Sequence, residues 1–183
     1  MDDSERWLME WHDRSAGATR RSFARAIPSS YEKLASFAHT DERVLDLACG
    51  DATLLEMLLQ RGVAAAVGID LSVGELRAAR ERLAGKATVV RAQAQALPFA
   101  DESFDLVTCH FAFMLLSAID TVAAEVRRIL RKHGRFAAVI SCGAGSESDA
   151  WGRLIERLKL FPYVGPRIGD KRTRSEQDRK SVV

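Results

Sequence analysis

Cysteine is scarce and scattered in this sequence: 183 residues hold three, Cys49, Cys109 and Cys142, with no CxxC and no paired spacing. That argues against a disulfide framework or a zinc module and predicts a reduced, cytoplasmic protein without a metal centre. Long apolar runs are missing too. The stretches at 54–59, broken by Glu56, and at 111–116 are far shorter than the roughly 20 residues that cross a bilayer. The opening MDDSERW is acidic, where an export signal would be basic and then apolar. Neither membrane insertion nor export is expected.

A surplus of one charge sign is also absent. Lys plus Arg is 27 and Asp plus Glu is 25, for a net +2, and residues 167–180 alone carry +3, leaving the remainder at −1. A near-neutral body lacks the basic face of a dedicated nucleic-acid protein, and the basic tail reads as a solvated end. What is present is ordinary globular material, 47% hydrophobic and 28% charged, in a length that suits one domain with a core of its own.

Along the chain, apolar residues recur at helical spacing over 1–40 (Trp7, Leu8, Trp11, then Phe23, Ile27, Tyr31, Leu34, Phe37), with breaks at Gly17 and Pro28. This predicts an N-terminal cap of two or three short helices. From residue 43 the pattern becomes strand, glycine turn, helix, and repeats. Strands are predicted at 44–48, 65–69, 87–91, 104–109 and 135–141. Helices are predicted from 54 to the stop at Gly62, from the capping pair Ser72 and Glu75 to about residue 83, and over 120–132 with Gly134 as the stop. Strands alternating with helices, apolar on both faces, predict a three-layer α/β sandwich with a parallel sheet, of Rossmann type, over 41–142. Residues 143–183 read as a loop, an amphipathic helix over 149–161 and an irregular basic tail.

In such sheets the ligand lies beyond the carboxyl ends of the strands, at the topological switch point. The first strand leads into Asp46-Leu47-Ala48-Cys49-Gly50-Asp51-Ala52. A dinucleotide site would want GxGxxG there, and only Gly50 fits. Asp46 and Asp51 oppose a diphosphate and suit a cationic ligand. Asp70, at the end of the second strand, stands where a carboxylate accepts hydrogen bonds from ribose hydroxyls. Ribose without phosphate, beside a cation, points to S-adenosylmethionine.

At this point the chain resembles the class I S-adenosylmethionine-dependent methyltransferases, in particular the small-molecule type 11 family. The resemblance is carried by VLDLACGDA at 44–52, GIDLS at 68–72, ALPFADESFDLV at 96–107 and EVRRILRKHG at 125–134. It implies a sheet of order 3-2-1-4-5 and methyl transfer from S-adenosylmethionine to a small organic acceptor. Asp70 and Leu71 would serve the ribose, Asp46 with Ala48, Cys49 and Gly50 the methionine end, and Gln93 and Ala94 the adenine. Tyr31 would touch the amino-acid end, and His110, facing the acceptor, is the candidate general base. The sequence departs from the family pattern in three ways. Alanines 48 and 52 replace glycines, so residue 52 is expected to crowd the ligand or to adopt an ordinary backbone angle. Gln93 replaces an acidic residue. The family's strands six and seven do not follow, which predicts an exposed edge on strand five, open to pairing with another copy. A shortened, non-catalytic relative acting as a partner subunit or gene remnant is the rival reading. A nicotinamide-dependent oxidoreductase shares the fold but lacks the glycine fingerprint.

Overall fold

The computed structural model describes residues 3–23 and 30–140. Three helices, α1 (Asp3–Arg14), α2 (Ala18–Phe23) and α3 (Ser30–Ala35), precede the alternating elements β1 (Arg43–Leu47), α4 (Thr53–Gln60), β2 (Ala65–Asp70), α5 (Val73–Leu83), β3 (Thr88–Arg91), β4 (Phe104–His110), a 3-10 turn (Phe113–Leu115), α6 (Ile119–Ile129) and β5 (Leu130–Val139). All four neighbouring strand pairs are parallel and the order is β3-β2-β1-β4-β5. The order reverses between β1 and β4, so the loops after these strands diverge and leave a crevice at their carboxyl ends.

Strand alternation sorts the apolar residues into two cores. Val44 and Leu106 point to one face, with Leu54, Leu55 and Leu58 of α4 and Leu76, Ala79 and Leu83 of α5. Leu45, Leu47, Val107 and Cys109 point to the other, with Ile119, Val122, Val126 and Ile129 of α6. Both faces of the central strands are therefore covered, as their near-continuous apolar runs require. The first core leaves one place where a side chain does not fit. A Cβ on Gly68 of β2 would lie 2.5 Å from Leu55 Cδ1 and 2.7 Å from Cys49 Sγ. Gly68→Ala is expected to lower stability by about 1–3 kcal/mol, the usual cost of overpacking. Urea unfolding checks it, and an unchanged midpoint would contradict this packing.

The α6–β5 boundary differs from the expected one. Instead of a helix to 132 and a strand from 135, α6 ends at Ile129 and β5 begins at Leu130. Phe104 pairs with Leu130 and Leu106 already pairs with Arg135, so residues 131–134 bulge out opposite Asp105. Arg131 donates to both Asp105 carboxylate oxygens, at 2.8 and 3.0 Å, which pins the bulge. Gly134 lies inside that turn and does not stop the helix; a Cβ there would meet Arg131 O at 2.9 Å. β5 ends at Val139, not 141. The helix expected over 149–161, the basic tail and Cys142 lie outside the described residues.

Candidate functional site

The carboxyl ends of β1, β2 and β4 open into one cleft. Asp46, Ala48, Cys49, Gly50, Asp70, Leu71, Gln93, Ala94, His110 and Tyr31, the ten residues singled out in the sequence, all line it. The loop after β1 is held to β2 by Asp70. One Asp70 carboxylate oxygen accepts from Gly50 N and the other from Ser72 N, both at 2.9 Å, and Cys49 N extends the ladder by donating to Ile69 O at 2.8 Å. A carboxylate offers about four lone-pair positions, so two acceptor positions of Asp70 remain beyond those backbone bonds. Burial raises the Asp70 carboxyl above its ordinary range, against the bonds from Ser72 and Gly50 that favour its charge.

The expectation of an ordinary backbone angle at Ala52 is overturned. Ala52 adopts φ +62° and Ala48 φ +57°, both left-handed like Gly50 at +52°. Alanine thus occupies the conformation that glycine adopts without cost, at roughly 1–2 kcal/mol each. Ala52 is fully buried, whereas Ala48 is partly exposed and loses little when trimmed. Ala48→Gly is expected to raise stability by about 0.5–1 kcal/mol after the added unfolded-state entropy. A melting temperature at or below the parent's would refute this.

Asp46 sits deeper, 1% exposed, with Thr108 Oγ1 3.0 Å from its Oδ1. Burial, together with the nearby Asp70 and against the Thr108 bond, raises its carboxyl to about 7. Asp51 corrects the sequence reading, which paired it with Asp46 as a match for a cationic ligand. Its Oδ2 accepts from Arg20 Nε and Arg82 Nη2, both at 2.9 Å, and its Oδ1 from Thr53 Oγ1 at 2.7 Å. Burial alone would raise the Asp51 carboxyl, but Thr53, Arg82 and Arg20 outweigh it and hold it below the usual range. The charge of Asp51 is taken up within the protein. Asp46, Asp70 and Glu75 carry the acidic character of the cleft, beside Arg20 as the lining cation.

At the end of β4, the His110 ring stacks on Tyr31 with centroids 3.6 Å apart, and its Nε2 lies 2.8 Å from Ser30 Oγ. Burial pushes the imidazole down to about 4, so it is neutral at physiological pH. Burial, with Asp51, Asp46 and Glu75 nearby, raises the Tyr31 phenol. Burial also raises both the Cys49 and Cys109 thiols, which keeps them protonated and unreactive.

The predicted capping box of α5 is half realised. Ser72 Oγ accepts from Glu75 N at 3.0 Å, but Glu75 does not return to Ser72 N. Its carboxylate, 2% exposed, accepts from Gly17 N at 2.9 Å and meets His12 Nδ1 at 3.0 Å. Glu75 and Arg20, which line the cleft, and Asp13, which bonds Ser72 and Gly74 beside it, were not singled out as site residues in the sequence. Glu75 had a signal: it is a carboxylate on the same helix face as Leu76, Ala79 and Leu83. Arg20 and Asp13 had none, because their partners lie 31 and 59 residues away.

Comparison with known proteins agrees with this geometry. The sequence profile of a methyltransferase domain matches residues 45–138. A demethylmenaquinone methyltransferase from Thermus thermophilus is 35% identical over 158 residues, covering 82% of this chain and 68% of that protein. One from Thermobifida fusca is 40% identical over 102 residues, covering 54% and 43%. The crystal structure of a putative methyltransferase from Bacillus halodurans superposes with a TM-score of 0.63 at 25% identity, covering 84% of this chain and 66% of the other. The matches span between about two fifths and two thirds of the length of these curated relatives. With the profile spanning β1 to β5 and the sheet order its motifs imply, the chain belongs to the methyltransferase domain family.

Proposed function

We propose that this chain binds S-adenosylmethionine and transfers its methyl group to a small organic acceptor. The observation that carries this reading is the acidic cleft at the switch point. Asp70 ends β2 with acceptor positions to spare, Asp46 ends β1, and the loop between β1 and α4 keeps the backbone of a glycine-rich turn. Asp70 and Leu71 would hold the ribose, and Gln93 and Ala94 the adenine. Asp46, Arg20 and the backbone of 48–51 would hold the methionine end, its ammonium facing the carboxylate and its carboxylate facing the guanidinium. Tyr31 covers that end.

When bound, the cofactor supplies an electrophilic methyl group on a sulfonium. The protein's part is to align the acceptor and exclude water, which is worth roughly 7–11 kcal/mol when well oriented. Leu115, Leu116 and Phe111 give the acceptor side of the cleft an apolar wall. His110 faces it as a neutral ring, so any rate dependence on this imidazole falls near pH 4 and not near its ordinary value. The relatives named demethylmenaquinone methyltransferases make demethylmenaquinone the first acceptor to assay.

The reading also includes contact between copies along β5, the outer strand of the described sheet, where Phe136 is exposed. A cytoplasmic setting suits the free thiols of Cys49 and Cys109. Among the described residues no helix is long and apolar enough to cross a membrane. Calorimetry at one salt concentration tests the central claim. S-adenosylmethionine and S-adenosylhomocysteine are expected to bind and NAD is not, since Asp46, Asp70 and Glu75 disfavour a diphosphate. Equal affinity for NAD would overturn the reading.

A further inference from the structure

We propose that Asp13 is a positioning residue for cofactor binding: from α1 it caps the N-terminus of α5 through Ser72 and Gly74, and so fixes α1 as a wall of the cleft. The inference rests on the cofactor reading above for what the cleft holds, but its geometry is independent of it. Asp13 Oδ1 accepts from Ser72 Oγ at 2.6 Å and from Gly74 N at 2.9 Å. The first amides of a helix have no partner within it. Here Ser72 satisfies Glu75 N and the carboxylate of a different helix satisfies Gly74 N, an anion placed where the helix dipole favours one.

Three further observations converge on the same contact. A Cβ on Gly74 would lie 2.6 Å from Asp13 O and 2.8 Å from Asp13 Cα, so the backbones approach at a distance that only glycine permits. Glu75, which would close the capping box locally, is diverted to His12 and to Gly17 N. The Ser72 half of the local cap is kept and Ser72 N is taken by Asp70, while Asp13 adds from outside α5 a tertiary bond at the same helix end. Finally, Arg91 Nη2 reaches Met9 Sδ at 3.7 Å, a second anchor one helical turn earlier.

The consequence lies in the cleft and not in the core. Leu8, Met9 and His12 of α1 line the cleft, whereas both buried cores are built from Tyr31 onward and include no residue of α1. Loosening α1 should therefore expose the ligand without unfolding the sheet. Burial opposes the charge on Asp13, but the bonds from Gly74, Ser72 and the Val73 backbone outweigh it and keep the carboxyl below its ordinary range. The cap is thus in place throughout the neutral range.

The test uses the full chain and the variants Asp13→Ala, Asp13→Asn and Gly74→Ala. Three quantities are read: the Kd for S-adenosylhomocysteine by calorimetry, its dissociation rate by tryptophan fluorescence, and amide exchange across residues 5–14 without ligand. Asp13→Ala is expected to raise Kd about tenfold or more, the weight of a charge-assisted hydrogen bond, mainly through faster dissociation. Exchange in α1 should accelerate while the urea midpoint stays at the parent's. Asp13→Asn keeps an acceptor oxygen and should restore most of the affinity. Gly74→Ala should reproduce Asp13→Ala although alanine favours a helix interior, which separates loss of the contact from fraying of α5. Parental exchange in α1 for both Asp13→Ala and Gly74→Ala, parental Kd in both, or collapse of the whole fold on removing Asp13 would each overturn the proposal. If the parent binds no S-adenosylhomocysteine, the cofactor reading fails, and the exchange measurement still decides whether Asp13 holds α1.

Discussion

Replacing Asp70 by alanine is expected to weaken S-adenosylmethionine binding by about two to four orders of magnitude, the sum of two hydrogen bonds to a charged group at about 1.5–3 kcal/mol each. The position has two duties. Its carboxylate would meet the ribose, and it already accepts from Gly50 N and Ser72 N, fixing the loop after β1 against the start of α5. Alanine removes both at once and leaves two amides without this acceptor. Asp70→Asn separates the duties, because its amide keeps one acceptor oxygen but loses the charge and half of the loop anchorage. Dissociation constants for parent, Asp70→Asn and Asp70→Ala are expected to rise in that order, with circular dichroism confirming the sheet. A ratio near one for the alanine variant would remove Asp70 from the site.

The second large effect concerns stability against pH, where two buried groups act in opposite directions. Asp46 has its carboxyl raised to about 7. Between its unfolded value near 4 and pH 7 the folded state holds a proton that the unfolded chain releases, so Asp46 makes the fold less stable as pH rises. His110 is lowered to about 4. Between about 6.5 and 4 the unfolded chain binds a proton that the folded state refuses, so His110 makes the fold less stable as pH falls. Neutral asparagine removes each effect. Relative to the parent, Asp46→Asn is expected to gain stability as pH approaches 7, and His110→Asn as pH approaches 4. Each gain is on the order of 3–4 kcal/mol across its window, and both side chains are buried enough to escape solvent screening. Urea unfolding from pH 4 to 8 measures the three curves. Parallel curves would mean that neither group titrates as its burial dictates.

Legibility followed the range of the interactions involved. The strands, the helices between them and the ends at Gly62 and near residue 83 were readable because a period of two or of 3.6, a cap and a glycine stop all act within a few residues. Asp46, Gly50 and Asp70 could be named because a parallel sheet with a switch point puts the ends of its first two strands at the ligand, whereas Tyr31, Gln93, Ala94 and His110 came with the family resemblance. The α6–β5 boundary was misread for the converse reason. Leu130, Arg131 and Lys132 continue a helical composition, and it is Asp105, from a different strand, that captures Arg131 and turns 131–134 into a bulge. Ala52 was misjudged similarly: the β1–α4 turn is imposed by the elements on either side, and alanine bears the strain there as it does at Ala48.

By itself the sequence determined the alternation of elements, the two apolar faces of the central strands, and the carboxylates and glycine at the ends of β1 and β2, since these follow from local periodicity and chain order. Only the tertiary structure decided which charges remain for a ligand. Asp51 is neutralised by Arg20 and Arg82, Glu75 is turned toward His12 and Gly17, Asp13 caps a helix that begins 60 residues later, and His110 is held neutral beneath Tyr31. Each of these depends on groups brought together from distant parts of the chain. Burial and pairing, not residue type, set whether a side chain there is charged, and neither exists before the chain has folded.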